Sequence, residues 1–259
     1  MKRTHALIVA ALAVAAAASA HAGTAHITGD GLDFYMSSSN MPGYISNPGS
    51  NWLSGPELRS MHESLNAAGI QTDGVVTFML AETDAGLALF TLVDNNAVVG
   101  AGAIDAILGM SSTTVATAGY VMNDLGVDLP NYSNNGTTQT VSGDYFWHPD
   151  GGADGMAWTN LQLGDTGTFD FTAYMGGQED GPAGGGGSAS TFAGLDSSET
   201  FQFITWNGDT WATIMNGSFS EGGLFSFAFA IVPLPPAVAM GLAGLGVLAL
   251  ARKRNAKKA

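Results

Sequence analysis

Residues 199–215 read ETFQFITWNGDTWATIM, and this stretch decides the fold class. Phe201, Phe203 and Thr205 alternate with Gln202, Ile204 and Trp206. Such a period of two, rich in aromatic and β-branched residues, marks a strand with opposite faces in different surroundings. Asn207-Gly208-Asp209 then supplies a tight-turn signal, so the stretch reads as a β-hairpin. The same alternation recurs in Phe225, Phe227 and Phe229, and in Phe169 and Phe171 around Asp170. Further strands are expected over 32–36, 74–81, 87–93, 113–121, 139–147, 156–161 and 211–215.

One helix is marked. Ser54 and Glu57 have capping-box spacing, Leu58, Met61, Leu65 and Ala68 form a stripe at helical spacing, and Gly69 ends it. Arg59 and Glu63 lie four apart on the other face, as a solvated pair would. Residues 102–110 read as a second helical candidate. Many strands, one short amphipathic helix and no βαβ rhythm imply a mainly β chain. The expected architecture is an antiparallel β-sandwich of jelly-roll or immunoglobulin-like kind over residues 23–230. Residues 176–190, GGQEDGPAGGGGSAS, cannot build a core and read as a long exposed loop or a linker.

The chain has 259 residues and no cysteine, so disulfide and thiolate chemistry are excluded. Seven of its eight basic residues lie in the two end segments. The body from residue 23 to 236 keeps Arg59 alone against all 22 acidic residues, a net charge of −21. Such a surface repels nucleic acid and anionic membranes, whose recognition needs clustered Lys and Arg.

The ends carry targeting patterns. Lys2 and Arg3 precede an apolar stretch over 6–18, and Ala20-His21-Ala22 offers small residues for signal peptidase. Cleavage between Ala22 and Gly23 is expected, a retained anchor being the alternative. At the other end, residues 237–251 form a 15-residue apolar run. As a helix it would be about 22 Å long, shorter than the hydrocarbon core of about 30 Å. Arg252, Lys253 and Arg254 follow at once, as positive-inside retention requires. Val232-Pro233-Leu234-Pro235-Pro236 precedes the run and would break a continuous helix.

A proline motif, a short Gly/Ala/Leu-rich helix and a terminal basic cluster, in that order, resemble the PEP-CTERM family of sorting signals in its Val-Pro-Leu-Pro variant. The resemblance covers residues 231–259 and leaves the body unaddressed. It implies export, transient anchoring through the C-terminal transmembrane helix, and recognition near the prolines by an exosortase-like processing enzyme. It also implies a bacterium that makes extracellular polysaccharide. An ordinary tail anchor is the other reading of the segment.

For the body, residues 144–155, DYFWHPDGGADG, hold Asp144, Asp150 and Asp154 as candidate calcium ligands. The distal Glu of an EF-hand loop is missing, and a solvated Asp/Gly turn explains the stretch as well. His148 beside these acids is too little for zinc, and His26 and His62 have no partner at ligand spacing. Adjacent acids such as Glu179 and Asp180, or Asp196 and Glu199, lack the setting of a glycosidase pair. No Gly-x-Ser-x-Gly elbow or phosphate loop occurs. Trp206 and Trp211 are candidates for stacking on sugar rings, with core packing as the alternative. Asn131, Asn135 and Asn216 begin Asn-x-Ser/Thr triplets. The expectation is a non-enzymatic, exported surface or matrix protein, with a carbohydrate-binding module or a secreted hydrolase as alternatives.

Overall fold

The computed structural model describes residues 23–41, 55–72, 75–94, 106–122, 131–147, 153–174, 200–219 and 224–233. In chain order the first strands are β1 (Thr24–Gly29), β2 (Leu32–Ser37) and β3 (Ser39–Asn40). Helix α1 (Gly55–Ala67) follows, then β4 (Val75–Thr83), β5 (Gly86–Asp94), β6 (Ala106–Val115) and β7 (Gly119–Met122). Next come β8 (Asn131–Asn134), β9 (Thr138–Trp147), β10 (Ala153–Thr159) and β11 (Thr166–Tyr174). The last are β12 (Thr200–Trp206), β13 (Trp211–Ser218) and β14 (Leu224–Val232).

The strands form two seven-stranded sheets. The first has the order β2-β1-β14-β11-β6-β9-β8, and the second runs β13-β12-β4-β5-β10-β7 with β3 also beside β4. Their facing sides bury one core. Phe78 and Phe203 of the second sheet meet Phe169, Phe171, Phe227 and Phe229 of the first. Phe78 lies 4.6 Å from Phe203 and 4.9 Å from Phe227, centroid to centroid, stacked on one and edge-on to the other. The alternating phenylalanines of 201–203 and 225–229 thus supply the filling between the layers, and the mainly β sandwich is present as expected.

Helix α1 adds a third layer. Leu58, Met61 and Leu65 are fully buried against Met79, Phe90, Leu92 and Ala157 on the outer side of the second sheet. Each contributes roughly 2 kcal/mol relative to exposure. Covered on both sides, β4 and β5 read as nearly continuous apolar runs, VVTFML and GLALFTLV, instead of alternating. The helix ends as its stripe implies. Gly69 is left-handed (φ 85°), its N–H donates to Asn66, and Ile70 N–H donates to Leu65 O at 3.0 Å. That pair of bonds is a Schellman closure, with Ile70 buried in the same cluster as Leu65.

Three expectations need correction. Residues 106–110 are strand, not helix: they pair on both sides, with β9 and β11, and that sheet pairing overrides a short helical pattern. The single strand expected over 113–121 is two. The chain turns at Ala116–Ala118, with Ala118 N–H donating to Val115 O, and passes from the first sheet to the second. The sheets are not wholly antiparallel, because β12 and β3 both pair parallel to β4, one beyond the other along its length. The expected hairpin forms between β12 and β13, with Trp206 opposite Trp211 and a bulge that shifts the register between Phe203 and Ile204. Residues 176–190 lie outside the described residues.

Candidate functional site

The chain closes on itself in the middle of the first sheet. β1 and β14 pair antiparallel from Thr24 opposite Val232 to Thr28 opposite Ala228. β14 is held on its other side by β11. Ile231 is bonded through both backbone groups, donating to Asp165 O at 2.8 Å and accepting from Gly164 at 2.9 Å. Gly23 accepts from Ser38 N–H at 2.9 Å. The start of the body and its exit therefore lie side by side at one end of the sandwich. Val232 is the last strand residue and Pro233 the first beyond it. Ala20, Ala22, Leu234, Pro235, Pro236, Arg252, Lys253 and Arg254 lie outside the described residues. Among the described residues, no helix is long and apolar enough to cross a membrane.

The calcium candidates divide between the sheets. Asp144 is on β9 opposite Gly109, in the first sheet, and Asp154 is on β10 opposite Val93, in the second. Asp150 lies outside the described residues. Among the described residues, no three His, Asp or Glu side chains gather as a metal site would require.

Trp206 and Trp211 do come together, edge to face, with centroids 5.5 Å apart. Trp211 is only 9% exposed and belongs to the cluster under the helix, while Trp206 is partly buried against it. Of the two indoles, Trp206 has the greater accessible surface. Trp158 is wholly buried and donates to Ser112 Oγ at 2.6 Å, a core contact linking the two sheets.

Two histidines occupy opposite settings. On the outer side of the first sheet, His26 Nε2 lies 2.8 Å from Asp33 Oδ1, and its ring stacks on Tyr35 at 4.5 Å. These three residues are cross-strand neighbours on β1 and β2, with Tyr35 47% exposed. Sequence spacing did not reveal the cluster, because β1 was not anticipated as a strand. His62, on α1, is 2% exposed, and burial lowers its pKa from 6.5 to about 4. The acceptor asparagines Asn131, Asn135 and Asn216 are all exposed. Asn135 Oδ1 accepts from the backbone N–H groups of Thr137 and Thr138 in the β8–β9 turn, at 3.0 and 2.9 Å.

Comparison with protein-family models, with curated proteins and with solved structures finds no match to this chain.

Proposed function

We propose that the chain is an exported, non-enzymatic surface or matrix protein of a polysaccharide-producing bacterium, sorted through its C-terminal tail. In this reading the signal is removed before Gly23 and the apolar run halts transfer. Arg252, Lys253 and Arg254 hold the orientation, and an exosortase-like enzyme acts in the Val232–Pro236 segment. The β module, of jelly-roll or immunoglobulin-like kind, is left outside in a structural or adhesive role.

The observation that supports this most is the pairing of Thr24 with Val232. The expected signal cut falls one residue before the first strand, and the proline motif begins on the last residue of β14. Removal of both ends would leave every described strand intact. A cut before Val232 would instead invade a strand bonded on both sides, so the reading assigns processing to the prolines. The net charge of −21 over residues 23–236 suits solubility in an exposed compartment.

The test is to replace Arg252, Lys253 and Arg254 together with Gln and follow the protein by cell fractionation. Loss of membrane retention, with unprocessed chain released, is expected. Unchanged retention and processing would refute the sorting mechanism.

The alternative, a carbohydrate-binding module built on Trp206 and Trp211, draws on the partial exposure of Trp206. It predicts sugar binding that is lost in Trp206→Ala.

A further inference from the structure

The outer side of the first sheet carries an array that emerges only when the strand registers are put together. Thr28 pairs with Ala228, Ala228 with Thr168, Thr168 with Thr113, Thr113 with Thr140, and Thr140 with Ser133. These residues belong to six successive strands and form one row. They point away from the core, because their neighbours Phe227, Phe229, Phe169 and Val141 are buried within it. None of the six is buried. A second row runs alongside: Ser226, Asp170, Ser111 and Ser142. With strands about 4.8 Å apart, the first row is about 24 Å long.

The carboxylates at the two rows are hydrogen-bonded: Asp170 accepts from Ser226 Oγ at 2.6 Å, and Asp30, at the margin, accepts from the Ser226 N–H at 2.7 Å. Asp33, which continues the first row opposite Thr28, is engaged by His26. The surface therefore presents short hydroxyl groups with little conformational entropy to lose. Tyr35, stacked on His26 opposite Ala230 in the neighbouring row, adds an apolar ring face at one margin.

We infer that this face docks a neutral polysaccharide chain. Hydroxyls that both donate and accept match a polyhydroxylated partner, and the exposed Tyr35 ring offers a plane for a sugar. The acidic body opposes anionic polymers. A flat crystalline surface such as ice fits less well. Neighbouring strands rotate by about 20°, so six of them turn the row through about 100°. A flexible chain can follow that twist, and a plane cannot. The inference rests on the reading of the chain as an exported matrix protein and supplies its contact surface.

The test uses the full chain in mild detergent, titrated with dextran, cello-oligosaccharides and galactomannan, and with alginate as the anionic comparison. Wild type should bind at least one neutral polymer and not alginate. The variant Thr113→Val/Thr140→Val/Thr168→Val keeps shape and β-propensity while removing three hydroxyls. It should bind at least tenfold more weakly at an unchanged thermal midpoint, whereas Trp206→Ala should bind as wild type does. Overturning results are no neutral binding by wild type, triple-variant affinity within twofold of wild type, or loss confined to Trp206→Ala. Shaping of ice crystals by wild type without glucan binding would also overturn it. A mature chain still ending at Ala259 would remove the sorting reading and leave this binding result intact.

Discussion

Acidification should destabilise this protein through the buried imidazole of His62. His62 lies on α1 between Met61 and Leu65, in the layer that covers the second sheet, and is 2% exposed. Its pKa is about 4 in the fold against 6.5 when unperturbed, because burial penalises the charged ring. The unfolded chain thus binds a proton more readily than the folded one, and stability rises with pH. The contribution is fully present above pH 6.5 and is lost as pH falls from 6.5 towards 4. Linkage gives a loss of about 2 kcal/mol at pH 5 and about 3 kcal/mol at pH 4.

The body's many carboxylates also titrate in this range, and relief of their repulsion acts in the opposite direction. The informative quantity is therefore the difference between wild type and His62→Leu in urea denaturation, measured at half-unit steps from pH 7 to pH 4. Urea leaves the electrostatics unscreened. The wild-type curve should fall away from that of the variant by about 2 kcal/mol by pH 5. Parallel curves across the whole range would refute the argument, because a solvated or charged His62 would leave no such gap.

Three further outcomes follow from the packing. Ser112→Ala removes the acceptor of the wholly buried Trp158 indole. It should cost about 1–3 kcal/mol in denaturant unfolding, and no measurable change would contradict the contact. Phe78→Ala empties the centre of the phenylalanine cluster and should cost about 3–5 kcal/mol. A thermal shift no larger than that of an exposed control such as Leu163→Ala would count against the cluster's central place. Gly69→Ala meets nothing within 4 Å, so its cost is conformational alone, from the left-handed φ of 85°. About 1 kcal/mol is expected by calorimetry, and stabilisation would show that the helix does not end as described.

Strands that alternate were legible from the chain because one of their sides is wet. β11 and β14 carry phenylalanines at every second position for that reason, whereas β12 alternates in type although Gln202 and Ile204 are buried too. β4 and β5 are dry on both sides, so their runs showed where strands lie but not that a helix covers them. α1 was legible because its cap spacing, its stripe and Gly69 agree. Residues 106–110 were misread because a strand between two partners is specified by pairings distant in sequence, with residues 143–147 and 171–174. The parallel placement of β12 and β3 beside β4 has the same long-range origin. The candidate site follows this division. The end signals are linear motifs and can be read directly. The hydroxyl rows exist only across strands, so Thr28, Thr113, Thr140 and Thr168 look unremarkable in the chain and become neighbours through register alone.

The most direct test of the account is the intact mass of the mature protein isolated from the cells that make it. The account predicts a chain that starts at Gly23 and ends within residues 233–237, with every strand from β1 to β14 retained. A chain that still carries residues 238–259 would contradict it, and the tail would then be an ordinary membrane anchor.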